Sequence, residues 1–241
     1  MLEHLLIVLL SMSVCMAGTM TGATIGVIIK RPSRKLIAMM MSLAGGLMLA
    51  VIVFELIPEA VRKINIFYTV LFYVMGLCVI ILIDLLTDDE GHQGKNYKKM
   101  ALVTALGLML HNLPEGIIMG GGFALNQTLG AQMSLIIAIH DIPEGIAVAA
   151  PLMASGVKSY KILLFAFLTS LPTAIGAFIG VILGNVSEFS LGASLAIASG
   201  IMMYVVFGEL IPESNRLSQG IGTSLVVILA LTLGYLMLHF I

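Results

Sequence analysis

Eight apolar stretches, each about 20 residues long or slightly more, dominate this chain: near 4–29, 36–57, 66–86, 100–123, 130–152, 160–184, 190–211 and 221–240. As helices they each reach across about 30 Å of hydrocarbon. A bilayer admits little else, because it offers free backbone N–H and C=O groups no partner. The predicted fold class is therefore all-α and integral to a membrane, with eight transmembrane helices. Only 10% of the residues are charged and 59% are hydrophobic, against about 25% charged in a soluble domain. So little polar surface makes lipid the expected solvent, and a net charge of −1 excludes nucleic acid as a partner. Cys15 and Cys78 share no short spacing, which predicts helix packing rather than a disulfide or a thiolate metal cluster. Met1-Leu2-Glu3-His4 lacks the basic start of a cleaved signal, so the first apolar run is expected to remain as a helix.

Basic residues set the expected orientation, since Lys and Arg gather in cytoplasmic loops. With the N-terminus outside, Lys30, Arg31, Arg34, Lys35, Lys95, Lys98, Lys99, Lys158, Lys161 and Arg216 all fall on the inner side. Arg62 and Lys63 alone fall outside. The expectation is a multi-pass protein of the cell (plasma) membrane with both termini extracellular or periplasmic, and no separate soluble domain.

The chain also repeats itself. AGGLMLAVIVFELIPEA at 44–60 matches ASGIMMYVVFGELIPES at 198–214, ungapped at an offset of 154, with nine of seventeen positions identical. These are the second and seventh predicted spans, which cross in opposite directions. A second antiparallel pair lies in spans four and five, His111-Asn112-Leu113-Pro114-Glu115-Gly116 and His140-Asp141-Ile142-Pro143-Glu144-Gly145. Inverted repeats with broken helices around a mid-membrane site are a recurring plan of secondary transporters. One transporter domain over 1–241 is predicted, with repeat halves at roughly 1–86 and 160–241 and a central helix pair at 100–152.

The central pair carries the chemistry. His111 and Glu115 are four residues apart and so share a helix face, as do His140 and Glu144, while Asn112 and Asp141 widen each polar face. A charged group at the bilayer centre costs about 2.5–3.5 kcal/mol even on the mild insertion scale, so such a cluster points to function. Imidazole beside carboxylate suits zinc, iron, manganese or cobalt. Pro114 and Pro143 displace the carbonyls of Leu110 and Ile139, which kinks the helix and frees oxygens toward water or a passing ion.

HNLPEG followed by HDIPEG in this topology resembles the ZIP (Zrt/Irt-like) metal transporters, particularly their short bacterial branch. The resemblance covers essentially the whole chain and implies a 3+2+3 arrangement of spans. It also implies a two-metal site built from His111, Asn112, Glu115, His140, Asp141 and Glu144, with Met48 as a further ligand of the first metal. It implies metal entry into the cytosol by a homodimer whose helix bundles shift like an elevator, with the ion as cargo and no cofactor. One departure stands out: Leu168-Thr-Ser-Leu-Pro-Thr-Ala-Ile-Gly-Ala places Thr173 where family members often hold a metal-binding Glu. The second metal position is therefore expected to be weak, absent or differently selective.

Glu55 and Glu59 share a face with Met48, and the repeat pairs them with Glu209 and Glu213. They are expected to line the outer and inner vestibules respectively, the alternative being carboxylates that snorkel to water. Asp84 reads as an inner gate or an interfacial charge, His92 as part of a solvated loop, and His4 and His239 as interfacial histidines. Seventeen methionines are read as flexible packing rather than a copper path. With no G-x-x-x-x-G-K-[ST] pattern, ATP is not expected to drive transport directly. A metal-selective channel and an intramembrane zinc hydrolase would use the same donors. Symmetry favours the carrier, and H-E-x-x-H is absent.

Overall fold

The computed structural model describes residues 2–28, 33–86, 97–125, 127–183 and 187–240. Helices α1 (Leu2–Ile28) and α2 (Arg34–Val51) are followed by a π-helical turn at Ile52–Leu56, which runs straight into α3 (Ile57–Leu86). Next come α4 (Tyr97–Leu125), α5 (Gln127–Ala154), α6 (Ser159–Leu183) and α7 (Glu188–Tyr204). A second π turn at Val205–Leu210 leads into the short α8 (Ile211–Leu217) and then α9 (Ile221–Phe240). Lys30, Arg31, His92 and Lys95 lie outside the described residues.

Among the described residues, six helical stretches are long and apolar enough to cross a membrane, and Met12–Ile28 is a shorter apolar helix. The longest, Arg34–Leu86, covers 53 residues. The second apolar run ends near residue 57 in the sequence, yet the chain stays helical to Ile64. Pro58 is absorbed instead: its ring needs the space of a carbonyl one turn back, and widening the turn makes that room. The N–H of Ile57 reaches back to Ile52 O, and that of Ile211, just before Pro212, to Val206 O. The actual break is Asn65, at φ 63 and ψ 169. Its Oδ1 accepts from the backbone N–H groups of Phe67 at 3.0 Å and Tyr68 at 3.3 Å, capping the next helical segment. Ser33 and Ser187 cap α2 and α7 in the same way.

The outer surface is apolar, unlike that of a soluble protein, and the interior holds a polar cluster within an apolar core. Phe67, Leu86, Ile221 and Leu229 are exposed, while His111, Asn112, Glu115, Asp141, Glu144, Thr169, Ser170 and Thr173 are buried. Such an outer surface suits hydrocarbon and would aggregate in water. The most extensive packing joins α4 to α6, α1 to α5, α3 to α7 and α2 to α9. Glycine lets the backbones meet, as small residues do in membrane bundles. A β-carbon at Gly46 would fall 2.5 Å from Val227 O, and one at Gly200 would fall 2.1 Å from Tyr73 O. Between α2 and α5 the contact is made by side chains instead, with Met40, Met41, Met48 and Ile52 sharing one core with Ile146, Ala149 and Ala150.

Candidate metal centre

The described polar groups of the two H-x-x-P-E motifs are buried on α4 and α5, which pack on each other. One helical turn separates His111 from Glu115, and His111 Nε2 lies 3.0 Å from Glu115 Oε1. The same nitrogen lies 3.3 Å from Glu144 Oε1 on the neighbouring helix. A single imidazole edge thus sits between carboxylates from both motifs. His111 and Asp141 are 0% exposed, Asn112 and Glu144 1% and Glu115 3%, so water reaches almost none of this charge. The His140 side chain lies outside the described residues, although its backbone belongs to α5.

Helix α6 closes one side. Asn112 Nδ2 donates to Thr169 O at 2.9 Å, which leaves Asn112 Oδ1 buried without a hydrogen-bond partner among the described residues. Thr173 Oγ1 and His111 Nδ1 are buried in the same condition. An orphaned buried oxygen or nitrogen costs about 1–3 kcal/mol, and a buried carboxylate costs more unless a cation meets it. No Lys or Arg occurs between Lys99 and Lys158, so this stretch carries no side-chain cation of its own apart from histidine. Among the described residues no three His, Cys, Asp or Glu side chains are already arranged as a metal cage. His111 contacts Glu115 and Glu144 instead, and an incoming ion would take the place of those contacts.

The outlying candidates divide. Met48 is 1% exposed, in the core that α2 shares with α5. Glu55 and Glu209 are half-buried, each inside a π turn. Glu59 is held by Arg62 at 2.7 Å and Lys63 at 3.3 Å. Glu213 is fully buried and receives Arg216 Nε at 2.9 Å. Asp84 accepts from the Tyr204 hydroxyl and pairs with Lys99 at 2.8 Å. The sequence reading overlooked Thr19, Thr169 and Ser170, buried hydroxyl residues of α1 and α6. Hydroxyls are ordinary in membrane helices, and only the step of 154 residues from Thr19 to Thr173 marks one of them.

Against known proteins, the family model described as ZIP Zinc transporter matches residues 86–241. The chain is similar to the zinc transporter GufA of Myxococcus xanthus, at 41% identity over 132 residues, covering 54% of this chain and 52% of that protein. It therefore spans about half the length of that relative. It is also similar to the zinc transporter ZupT of Escherichia coli O7:K1, at 30% identity over 215 residues, covering 83% of this chain and 84% of that one. With ZupT of Akkermansia muciniphila the identity is 28% over 242 residues, covering 89% and 90%.

Proposed function

This chain belongs to the ZIP zinc transporter family, and from that premise we propose that it is a secondary transporter carrying divalent transition-metal ions, zinc foremost, into the cytosol. The observation that carries the reading is His111 Nε2, set 3.0 Å from a Glu115 oxygen and 3.3 Å from a Glu144 oxygen in a water-excluded interior. A divalent cation would balance the buried carboxylates of that group. The ligands are His111, Asn112, Glu115, His140, Asp141 and Glu144, with Met48 supplying a thioether. Imidazole, carboxylate and amide oxygen together suit zinc and its borderline neighbours. Zinc is cargo here and not a cofactor, and the protein is not an enzyme.

Eight spans in a 3+2+3 order follow if Arg34–Leu86 is divided at Asn65 and α1 is counted as a span. Both termini then lie outside a plasma membrane, with the basic loops inside. Transport proceeds by sliding of one helix group against another. In support, glycine contacts to neighbouring main chain join α1 with α5 (Gly18 against Ala138 O), α4 with α6 (Gly116 against Thr173 O), α3 with α7 and α2 with α9. The groups α1/α4/α5/α6 and α2/α3/α7/α9 meet through flexible side chains, methionines among them, which can repack during a shift. Glu55 and Glu209, half-buried in the π turns, line the outer and inner vestibules. Glu59 and Glu213, already holding arginines, serve there through those pairs. A homodimer follows the family plan, and the exposed apolar faces of α3 and α9 leave surface for a second copy as well as for lipid.

Purified protein in liposomes should show saturable zinc uptake, and Glu144→Ala should reduce it to the level of empty vesicles. Turnover in the range of a carrier separates this reading from a channel. Uptake equal in wild type and Glu144→Ala would overturn the site, and absence of zinc uptake by wild type would overturn the transporter.

A further inference from the structure

We propose that Thr19 of α1 is a positioning and specificity-determining residue of the metal site, standing to the second motif as Thr173 of α6 stands to the first. Gly116 directly follows Glu115, and a β-carbon there would fall 2.1 Å from Thr173 O. Gly145 directly follows Glu144, and a β-carbon there would fall 2.0 Å from Thr19 O. The next turn repeats the relation. Gly176 sits against Leu113 O, its added carbon at 2.2 Å, and Gly22 against Ile142 O at 2.0 Å. Leu113 and Ile142 hold the same place in the two motifs, and Gly22 and Gly176 lie 154 residues apart, as do Thr19 and Thr173. Helix α1 thus packs on α5 as α6 packs on α4. Each half of the site holds a histidine, an Asn or Asp, a glutamate and a threonine.

Both threonines are 1% exposed. Thr19 packs beside Asp141, since a β-carbon at its chain neighbour Gly18 would fall 3.0 Å from Asp141 Cβ. Neither the buried Thr19 hydroxyl nor the buried Asp141 carboxylate has a hydrogen-bond partner among the described residues. Threonine has few χ1 choices in a helix, so its hydroxyl has a defined direction. A donor held there fixes the plane of Asp141 and leaves the carboxylate's remaining lone pairs for an ion. Without it the carboxylate turns freely, and ordering it on the ion costs affinity. Hard, oxygen-preferring ions such as manganese depend on that oxygen more than cadmium does, which leans on the softer imidazole and thioether donors.

This inference rests on the transporter reading, and the test separates the two. Wild type, Thr19→Val, Thr19→Ser and Thr19→Cys are compared for zinc uptake in liposomes, for zinc binding in detergent by calorimetry, and for competition by manganese and cadmium. Thr19→Val keeps the volume and removes the donor. The expected result is an apparent KM and a Kd for zinc raised about tenfold, the value of a hydrogen bond to a charged group. The maximal rate should stay within about twofold of wild type, since the step after binding is untouched. Manganese should lose more ground as a competitor than cadmium. Thr19→Ser should match wild type, and Thr19→Cys, with its weaker donor, should fall between. If Thr19→Val does not fold, the order wild type, Ser, Cys still decides. Equal KM and Kd throughout, or a reduced rate at unchanged KM with no recovery in Thr19→Ser, would assign Thr19 to packing alone and overturn the inference. A wild type that neither binds nor moves zinc would overturn the transporter reading itself.

Discussion

Thr173 contributes a neutral hydroxyl where a carboxylate would change the charge count of the whole site. When ionised around a bound ion, Glu115, Asp141 and Glu144 supply three negative charges in a region with almost no exposure. With neutral imidazoles, one divalent ion leaves a net charge of −1 and two leave +1, so the second ion gains little where desolvation is most severe. A fourth carboxylate would let two ions neutralise the site. Thr173→Glu is accordingly expected to raise bound zinc from about one ion per chain toward two, by the same electrostatic reasoning. Metal analysis after equilibrium dialysis reads this directly, and an unchanged stoichiometry would show that charge does not limit the second position. The residue types and their spacing were legible in the sequence here, since a His and a Glu four residues apart must share a helix face. That one imidazole edge meets carboxylates of both helices was not, because α4 and α5 are separately helical and only their packing sets that distance.

At the level of helices, prolines and glycines do different work. Pro58 and Pro212 each follow a π turn that carries a half-buried glutamate, so a helix breaker becomes a widened turn inside a continuous element. The apolar run near 36–57 gives way to a polar stretch, and the extra residue that relieves the proline clash inside a continuous helix is not visible in the sequence alone. Glycines hold the pairs together. Gly116→Ala would push a methyl group to 2.1 Å from Thr173 O, and no main-chain atom can move aside cheaply. The expected cost is about 1–3 kcal/mol, seen as a lower melting temperature in detergent. Gly222→Ala in α9, with nothing within 4 Å of the added carbon, should leave the melting temperature unchanged. Equal effects of the two substitutions would deny that the α4–α6 approach depends on glycine.

Across the whole molecule, a polar contact ties the two proposed helix groups at one end. Lys99 of α4 pairs with Asp84 of α3 at 2.8 Å, and Asp84 also accepts from the Tyr204 hydroxyl of α7. The repeat step of 154 residues relates Tyr204 to Ala50 and Asp84 to Leu238, both apolar, so the counterpart positions lack these polar groups. Sliding of the groups would have to open this pair on every cycle. Asp84→Lys or Lys99→Asp alone is therefore expected to reduce zinc uptake severalfold, and the double reversal to recover most of it, because a partly exposed pair needs opposite signs rather than a particular order. Recovery is read as initial uptake rate normalised to protein in the vesicle, and a double variant no better than either single one would show that the pair does not act as a unit.

The apolar runs, the scarcity of charge and the two matched motifs determined from the sequence alone that this is an all-helical membrane protein with a polar centre on α4 and α5. Those features are local: a run of twenty apolar residues or a four-residue spacing acts through the nearest turns of one helix. Which carboxylates already hold an arginine, which backbones touch through glycine, and that Thr19 packs on the glycine after Glu144 as Thr173 packs on the glycine after Glu115 were decided by tertiary structure. Those relations link residues far apart in the chain, and only the packing of preformed helices brings them within a few ångströms.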